Sequence, residues 1–212
     1  MRLGGAPLGR CALLATATLS FAAFLALAGV AAQQHWFDID HSVRQLVSVI
    51  RHPLLDTPMW SVSLLGNEFG LIPLIGLASA ALWSRQRCWA LALPVAMAGT
   101  GALQVLAKWA VDRPRPNLGE WGFPSGHVLA LVVFFGLLTY LLCSMQTRWG
   151  LGRVGSTVAV ATVLIVAFSR LYLDAHWLSD VAGGFVLGLT YLLLTIWLVE
   201  SISRRRGRSE PR

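Results

Sequence analysis

The chain has 212 residues, of which 56% are hydrophobic and only 13% charged, with a mean hydropathy of +0.63 and a net charge of +7. Soluble domains carry about 25% charged residues, so the scarcity of polar surface excludes an ordinary soluble domain, and the apolar content excludes a disordered chain. The net charge alone would admit a nucleic-acid partner; the positions of the cations decide against one.

Six stretches are long and apolar enough, or nearly so, to cross a hydrocarbon core about 30 Å thick. In chain order they cover about 11–32, 59–83, 88–107, 128–146, 152–168 and 177–199. The fold class they predict is all-α: a polytopic membrane protein, a bundle of about six transmembrane helices forming one integral membrane domain over 1–212. The first span ends at Val30-Ala31-Ala32, which also fits a signal-peptide cleavage site. Its apolar run exceeds the usual 7–15 or so residues, which favours a retained anchor. Segment 33–58 holds Trp36, Phe37, Ile39, Val43 and Leu46, the pattern of a helix lying at the interface. The second span carries Asn67 and Glu68, which are costly in lipid and should face the bundle interior and pair between spans. The fifth span is the shortest. Cys11, Cys88 and Cys143 lack metal-ligand spacing and do not suggest a disulfide framework. A basic tail, 200–212, follows the sixth span.

With a cytoplasmic N-terminus, eleven of the seventeen basic residues lie inside: Arg2, Arg10, Arg85, Arg87, Arg148, Arg153, Arg204, Arg205, Arg206, Arg208 and Arg212. That satisfies the positive-inside rule. Most acids lie outside, and Trp36, Trp60, Trp83, Trp89, Trp109, Trp149, Trp177 and Trp197 fall near span ends, as an interfacial belt requires. The tail run Arg204-Arg205-Arg206 reads as a topology and anionic-lipid signal, with no nucleic-acid role.

Six cations remain outside: Arg44, Arg51, Lys108, Arg113, Arg115 and Arg170. Four of them fall in three short polar segments on one membrane face, KWAVDRPRP (108–116), PSGH (124–127) and SRLYLDAHWLSD (169–180), together with His127 and His176. Such a cationic cluster suits a tetrahedral dianion, gripped by Arg forks and a Lys point charge. Ser125 follows the helix-breaking Pro124 and is placed as an N-cap; Gly126 lets the backbone approach a ligand closely. The positive end of the fourth span would then face an anion, with His127 on its first turn. His176 and Asp180 are four residues apart, so on a helix they share a face. A carboxylate there can take the Nδ1 proton and leave Nε2 with a free lone pair, able to form a phosphohistidine. Two histidines allow one nucleophile and one proton donor. No cluster resembles a magnesium cage, so the expected route is metal-independent, with no cofactor.

These segments, in this order, resemble the signature of the type 2 phosphatidic acid phosphatase superfamily: K-x6-R-P, then P-S-G-H, then S-R-x5-H-x3-D. Lys108 with Arg115-Pro116, Pro124 to His127, and Ser169-Arg170 with His176 and Asp180 match at every signature position, over about 73 residues. The resemblance implies that His176 is the nucleophile, Asp180 its orienting partner and His127 the general acid. It implies that Lys108, Arg115, Ser125, Gly126 and Arg170 bind the phosphate. It further implies hydrolysis of a lipid phosphate monoester or diphosphate at the outer face of the cytoplasmic membrane. Phosphatidic acid, phosphatidylglycerophosphate and undecaprenyl diphosphate are the candidate substrates. A lipid phosphotransferase using the same site and a non-catalytic lipid- or anion-binding protein are the alternatives. Arg113 falls in the variable part of the first motif and is drawn in by proximity only. His35, His41 and His52 read as loop residues, and Asp112, Glu120 and Asp174 as solvated or paired with Arg113.

Overall fold

The computed structural model describes residues 9–144 and 149–209, and the residues described form helices and connecting turns with no strand. The elements are α1 (Arg10–Ala32), α2 (Asp38–Val49), α3 (Pro53–Ser63), a single 3-10 turn (Leu64–Gly66), α4 (Glu68–Trp83), α5 (Arg87–Val111), α6 (Gly126–Ser144), α7 (Trp149–Tyr172) and α8 (Leu178–Ser209). Among the described residues, five stretches are long and apolar enough to cross a membrane: Cys11–Ala32, Arg87–Val111, Gly126–Ser144, Gly152–Tyr172 and Leu178–Ile202. A sixth is the pair α3–α4, bent by 47°. The chain is a multi-span membrane protein.

α6 is the centre of the bundle. Apolar residues on every face of it, Val128, Leu131, Val133, Phe134 and Leu137 among them, are buried, as expected of a helix enclosed by its neighbours. It packs against α5, α7 and α8, while α1 lies along α8. Ser20 of α1 donates to the Val186 carbonyl at 2.9 Å, and Phe24 stacks on Phe123 at 5.7 Å. Leu19, Val95, Leu106 and Leu164 point outward from the bundle, as lipid-facing apolar side chains can without cost.

The second span differs from the continuous 59–83 helix read from hydropathy. Asn67 is extended (φ −102°, ψ −179°), and its Oδ1 accepts from the backbone N–H groups of Phe69 and Gly70 at 3.0 and 3.2 Å. It therefore caps a new helix. Neither polar residue pairs between spans as expected: Asn67 serves its own backbone, and Glu68 is exposed on the first turn of α4, where the helix dipole favours an acid. The third and fifth spans run past their predicted ends, to Val111 and Tyr172. Lys108 and Arg170 thus ride on final helical turns rather than on loops. Segment 33–58 contains α2 and the start of α3. Trp36, Trp60, Trp83 and Trp109 are exposed near helix ends, but Trp89 and Trp177 are buried and do not belong to a belt. Trp89 packs on Tyr140, and Trp177 packs on Trp36 and His41. Arg2, Arg148, Glu210 and Arg212 lie outside the described residues, as do the side chains of Trp149 and the arginines of the basic tail.

Candidate active site

The last turns of α5 and α7 and the first turns of α6 and α8 meet at one end of the bundle. α5 stops at Asp112, whose left-handed backbone (φ 45°) lets its N–H bond back to the Lys108 carbonyl at 2.9 Å. The chain then folds on itself, with Gly122 N–H donating to Arg113 O at 2.6 Å and Arg115 N–H to Gly119 O at 2.7 Å. Buried Lys108 donates through Nζ to the Trp121 carbonyl.

The PSGH turn is pressed between neighbouring helices. Ser125 N–H donates to the Asp180 carbonyl at 2.9 Å. α8 reaches this close because Gly184 has no side chain: a Cβ there would lie 2.4 Å from the Ser125 carbonyl oxygen. Backbone cannot yield as a side-chain tip can. Gly184→Ala is therefore expected to cost about 1–3 kcal/mol of stability, visible as a lowered thermal midpoint of the detergent-solubilised protein. A Cβ on Gly126 would meet the Gln104 carboxamide at 2.1 Å, so its small size also serves the packing of α5 on α6.

Ser125 occupies the N-cap position of α6 without capping it: its Oγ is buried and makes no hydrogen bond. The same holds for Nε of Arg115 and Nε of Arg170. Native proteins rarely leave buried polar atoms unpaired, and these three sit in the three motifs. With the free N–H groups of the first turn of α6, they form a set of donors awaiting an acceptor. Arg170 is aimed by Ser63, whose Oγ accepts from its Nη1 at 2.6 Å. Gly66, in the break between α3 and α4, lies against His127, a Cβ there falling 2.9 Å from the His127 Cβ. His127 feels the charges of Arg170, His176, Lys108 and Arg115, and Lys108 those of Arg115, Asp180 and Arg170. The predicted residues are therefore gathered in one place.

His176 and Asp180 meet, but not as neighbours on a helix face. His176 precedes α8, and Asp180 sits on its first turn. Asp180 Oδ2 accepts the Trp177 backbone N–H at 2.9 Å, half of a capping box, and faces His176 Nδ1 at 3.4 Å. Burial lowers the His176 pKa to about 4, against the opposing pull of the Asp180 hydrogen bond and charge. The imidazole is thus neutral at physiological pH.

Arg113, drawn in by proximity alone, is fully buried and pairs with Asp40 and Asp180 rather than with Asp112, Glu120 or Asp174. Asp174 instead binds Arg44 at 2.7 Å and Arg51 at 3.0 Å. Burial pushes its pKa up, but the hydrogen bonds of Arg44 and Arg51 outweigh that and hold it below the usual range. These pairs account for the two remaining cations of the first outer segment. His35, His41 and His52 stay outside the cluster: His52 Nδ1 caps α3, and the His41 ring packs on Trp177. Asp40, Ser63 and Ser179 touch the site and were not singled out from the sequence. Among the described residues no three His, Cys, Asp or Glu side chains gather as a metal cage.

A family model described as the PAP2 superfamily matches residues 89–204, more than half of the chain and all three motifs. The chain belongs to the PAP2 superfamily. Among its PAP2 relatives, phosphatidylglycerophosphatase B of Bacillus subtilis (strain 168) is 29% identical over 197 residues, covering 89% of this chain and 97% of that one. An undecaprenyl-diphosphatase of Sulfolobus acidocaldarius is 35% identical over 83 residues, 39% of this chain and 35% of its own. The crystal structure of the first transmembrane PAP2 type phosphatidylglycerolphosphate phosphatase from Bacillus subtilis superposes with a TM-score of 0.77 at 25% identity. That match covers 92% of this chain and 99% of the other. The PAP2 match begins after α4, so α2, with Asp40, and Ser63 lie outside it.

Proposed function

We propose that this chain is a PAP2 lipid phosphatase that hydrolyses a lipid phosphate monoester or lipid diphosphate, phosphatidylglycerophosphate first and undecaprenyl diphosphate or phosphatidic acid after it, at the outer face of the cytoplasmic membrane. The observation that carries this reading is the set of unpaired buried donors, Ser125 Oγ, Arg115 Nε and Arg170 Nε, beside a neutral histidine backed by a carboxylate. The choice of lipid leans on the phosphatidylglycerophosphatase relative matched along nearly its whole length. Arg85 and Arg87, which lie at the opposite end of α5 from Lys108, support the outer face under the positive-inside rule.

The phosphoryl oxygens lie against Lys108, Arg115, Arg170, Ser125 Oγ and the N–H groups at Gly126 and His127. These groups stabilise the charge that spreads over the oxygens in the transition state. Asp180 accepts the Nδ1 proton of His176, and His176 Nε2 attacks phosphorus in line. The phosphorus–oxygen bond to the lipid breaks, its electron pair stays on the lipid oxygen, and that oxygen takes a proton from His127. Water, giving a proton back to His127, then attacks phosphorus; the phosphorus–nitrogen bond breaks and its electron pair returns to His176 Nε2. Inorganic phosphate leaves and His176 is restored.

The purified protein in mixed micelles should release phosphate from phosphatidylglycerophosphate at an unchanged rate in excess EDTA, and vanadate should inhibit it. Loss of activity in EDTA, restored by a divalent cation, would contradict the metal-independent route.

The pH profile carries a further expectation. His176 attacks only when neutral, and its pKa is depressed to about 4, so the acid limb of kcat/KM should fall near pH 4 rather than near the 6.5 or so of a free imidazole. Asp180 holds that pKa up. Asp180→Asn should therefore move the limb to lower pH while reducing kcat, which a pH-rate profile reads directly.

A further inference from the structure

One buried charged group takes no part in the steps above. The Arg113 side chain is fully buried and bridges two carboxylates that are themselves fully buried. Its Nη1 donates to Asp180 Oδ1 at 3.0 Å and to Ser179 Oγ at 2.7 Å. Its Nη2 donates to Asp40 Oδ2 at 3.1 Å and to the His35 carbonyl at 3.2 Å, and the guanidinium lies 5.8 Å from the Trp36 ring centre. Asp40 is bound from both sides. It accepts from Ser179 N–H at 2.8 Å and Ser179 Oγ at 2.7 Å, so a carboxylate from α2 serves as an external cap for the first turn of α8.

We propose that Arg113, fixed by Asp40 of α2, is a positioning residue that holds the Asp180 carboxylate in the orientation that keeps the Nδ1 proton of His176 and leaves Nε2 free to attack. This inference rests on the reading of His176 as nucleophile. The Asp180 carboxylate can turn only if one of its oxygens is released. Oδ2 is held by Trp177 N–H and His176 Nδ1, and Oδ1 by Arg113. Without the guanidinium, Oδ1 is drawn toward Lys108, whose charge Asp180 already feels, and the turn takes Oδ2 away from His176. His176 is faced by Asp180 from α8, Lys108 from α5, Arg170 from α7 and His127 from α6. Among these the Asp180 carboxylate is the acceptor that faces Nδ1. A planar fork is required to span Asp40, Ser179 and Asp180 together, which the point charge of a lysine cannot do. The consequence is that the nucleophile is oriented from outside the transmembrane bundle, by a helix that precedes the residues matched by the family model.

The test uses the full-length protein in lipid-detergent micelles, with the variants Arg113→Lys, Asp40→Asn and Ser179→Ala beside His176→Ala. Two readouts are taken: kcat and KM for phosphate release, and the tautomer of His176 by ¹⁵N-histidine NMR, assigned by its absence in His176→Ala. Arg113→Lys should lower kcat about 100-fold, and Asp40→Asn and Ser179→Ala about 10-fold, with KM within about twofold. In each, His176 should change from a single Nδ1–H tautomer to a mixture. Wild-type kcat in the folded variants would overturn the proposal, as would a lowered kcat with the single tautomer retained, which marks a merely structural role. If Arg113→Lys does not fold, Asp40→Asn and Ser179→Ala decide, since both keep the guanidinium. Activity surviving in His176→Ala overturns the functional reading itself. An inactive His176→Ala with wild-type Asp40→Asn and Ser179→Ala overturns only this inference.

Discussion

Replacing His176 with Ala is expected to lower phosphate release from every lipid substrate on the order of 10⁵-fold, with the protein still folded and still binding inorganic phosphate. The size follows from the division of labour in the site. The cations and the first turn of α6 hold the phosphate whether or not the imidazole is present, so binding survives. The step that makes the phosphorus–nitrogen bond has no substitute, because Asp180 faces His176 through Oδ2 and is tied to Arg113 through Oδ1. Truncation of a buried side chain 3% exposed leaves a cavity, so thermal unfolding should be followed alongside. A modest loss of stability with retained phosphate binding, measured by calorimetry, is the expected pattern.

The second large effect is at His127. A proton donor to a departing lipid oxygen contributes about 10²–10⁴-fold, and a lipid alkoxide is a poor leaving group without one. His127→Ala should therefore reduce kcat by about 10³-fold with phosphatidylglycerophosphate. With p-nitrophenyl phosphate, whose phenolate departs without help, the first step, read as the initial burst of p-nitrophenolate, should slow by no more than about 10-fold, while later turnover stays slow for want of the base. Comparing the first step on the two substrates separates proton donation from misfolding, which would reduce both alike. Equal losses in the first step on both substrates would place His127 elsewhere in the scheme.

The parts of this site that could be read from the sequence are those packed into short strings. Lys108, Arg115, Ser125, His127, Arg170, His176 and Asp180 lie at spacings that helix ends convert directly into proximity. The all-helical, multi-span layout was legible for a different reason: hydropathy averaged over a window picks out helices apolar enough to cross a membrane. The same averaging hid the break at Leu64–Asn67, because two polar residues weigh little against the apolar residues around them. Yet that break brings Ser63 to Arg170 and Gly66 to His127.

Asp40 was illegible for a different reason. Asp38 and Asp40 are two residues apart and so point to different sides of α2; Asp38 is exposed and Asp40 is buried. The apolar residues Ile39, Leu46 and Val49 face outward, which inverts the soluble-protein expectation that apolar marks the inside. Its partners Arg113 and Ser179 are 73 and 139 positions away. No local pattern encodes such a pairing. The spacing of His176 and Asp180 predicted a true contact through the wrong geometry, since the histidine stands in the turn before α8 and not on the helix.

The most direct test of the account is to trap the phosphorylated enzyme. Radiolabelled p-nitrophenyl phosphate, whose phenolate leaves without a proton from His127, is mixed with His127→Ala, in which breakdown of the intermediate is slowed, and the reaction is quenched under alkaline denaturing conditions that preserve a phosphorus–nitrogen bond. The account predicts label that is stable in alkali, lost in acid, mapped to the peptide containing His176, and absent when His176 is also replaced. Turnover with no trapped label, or label stable in acid on Ser125 or another residue, would contradict it.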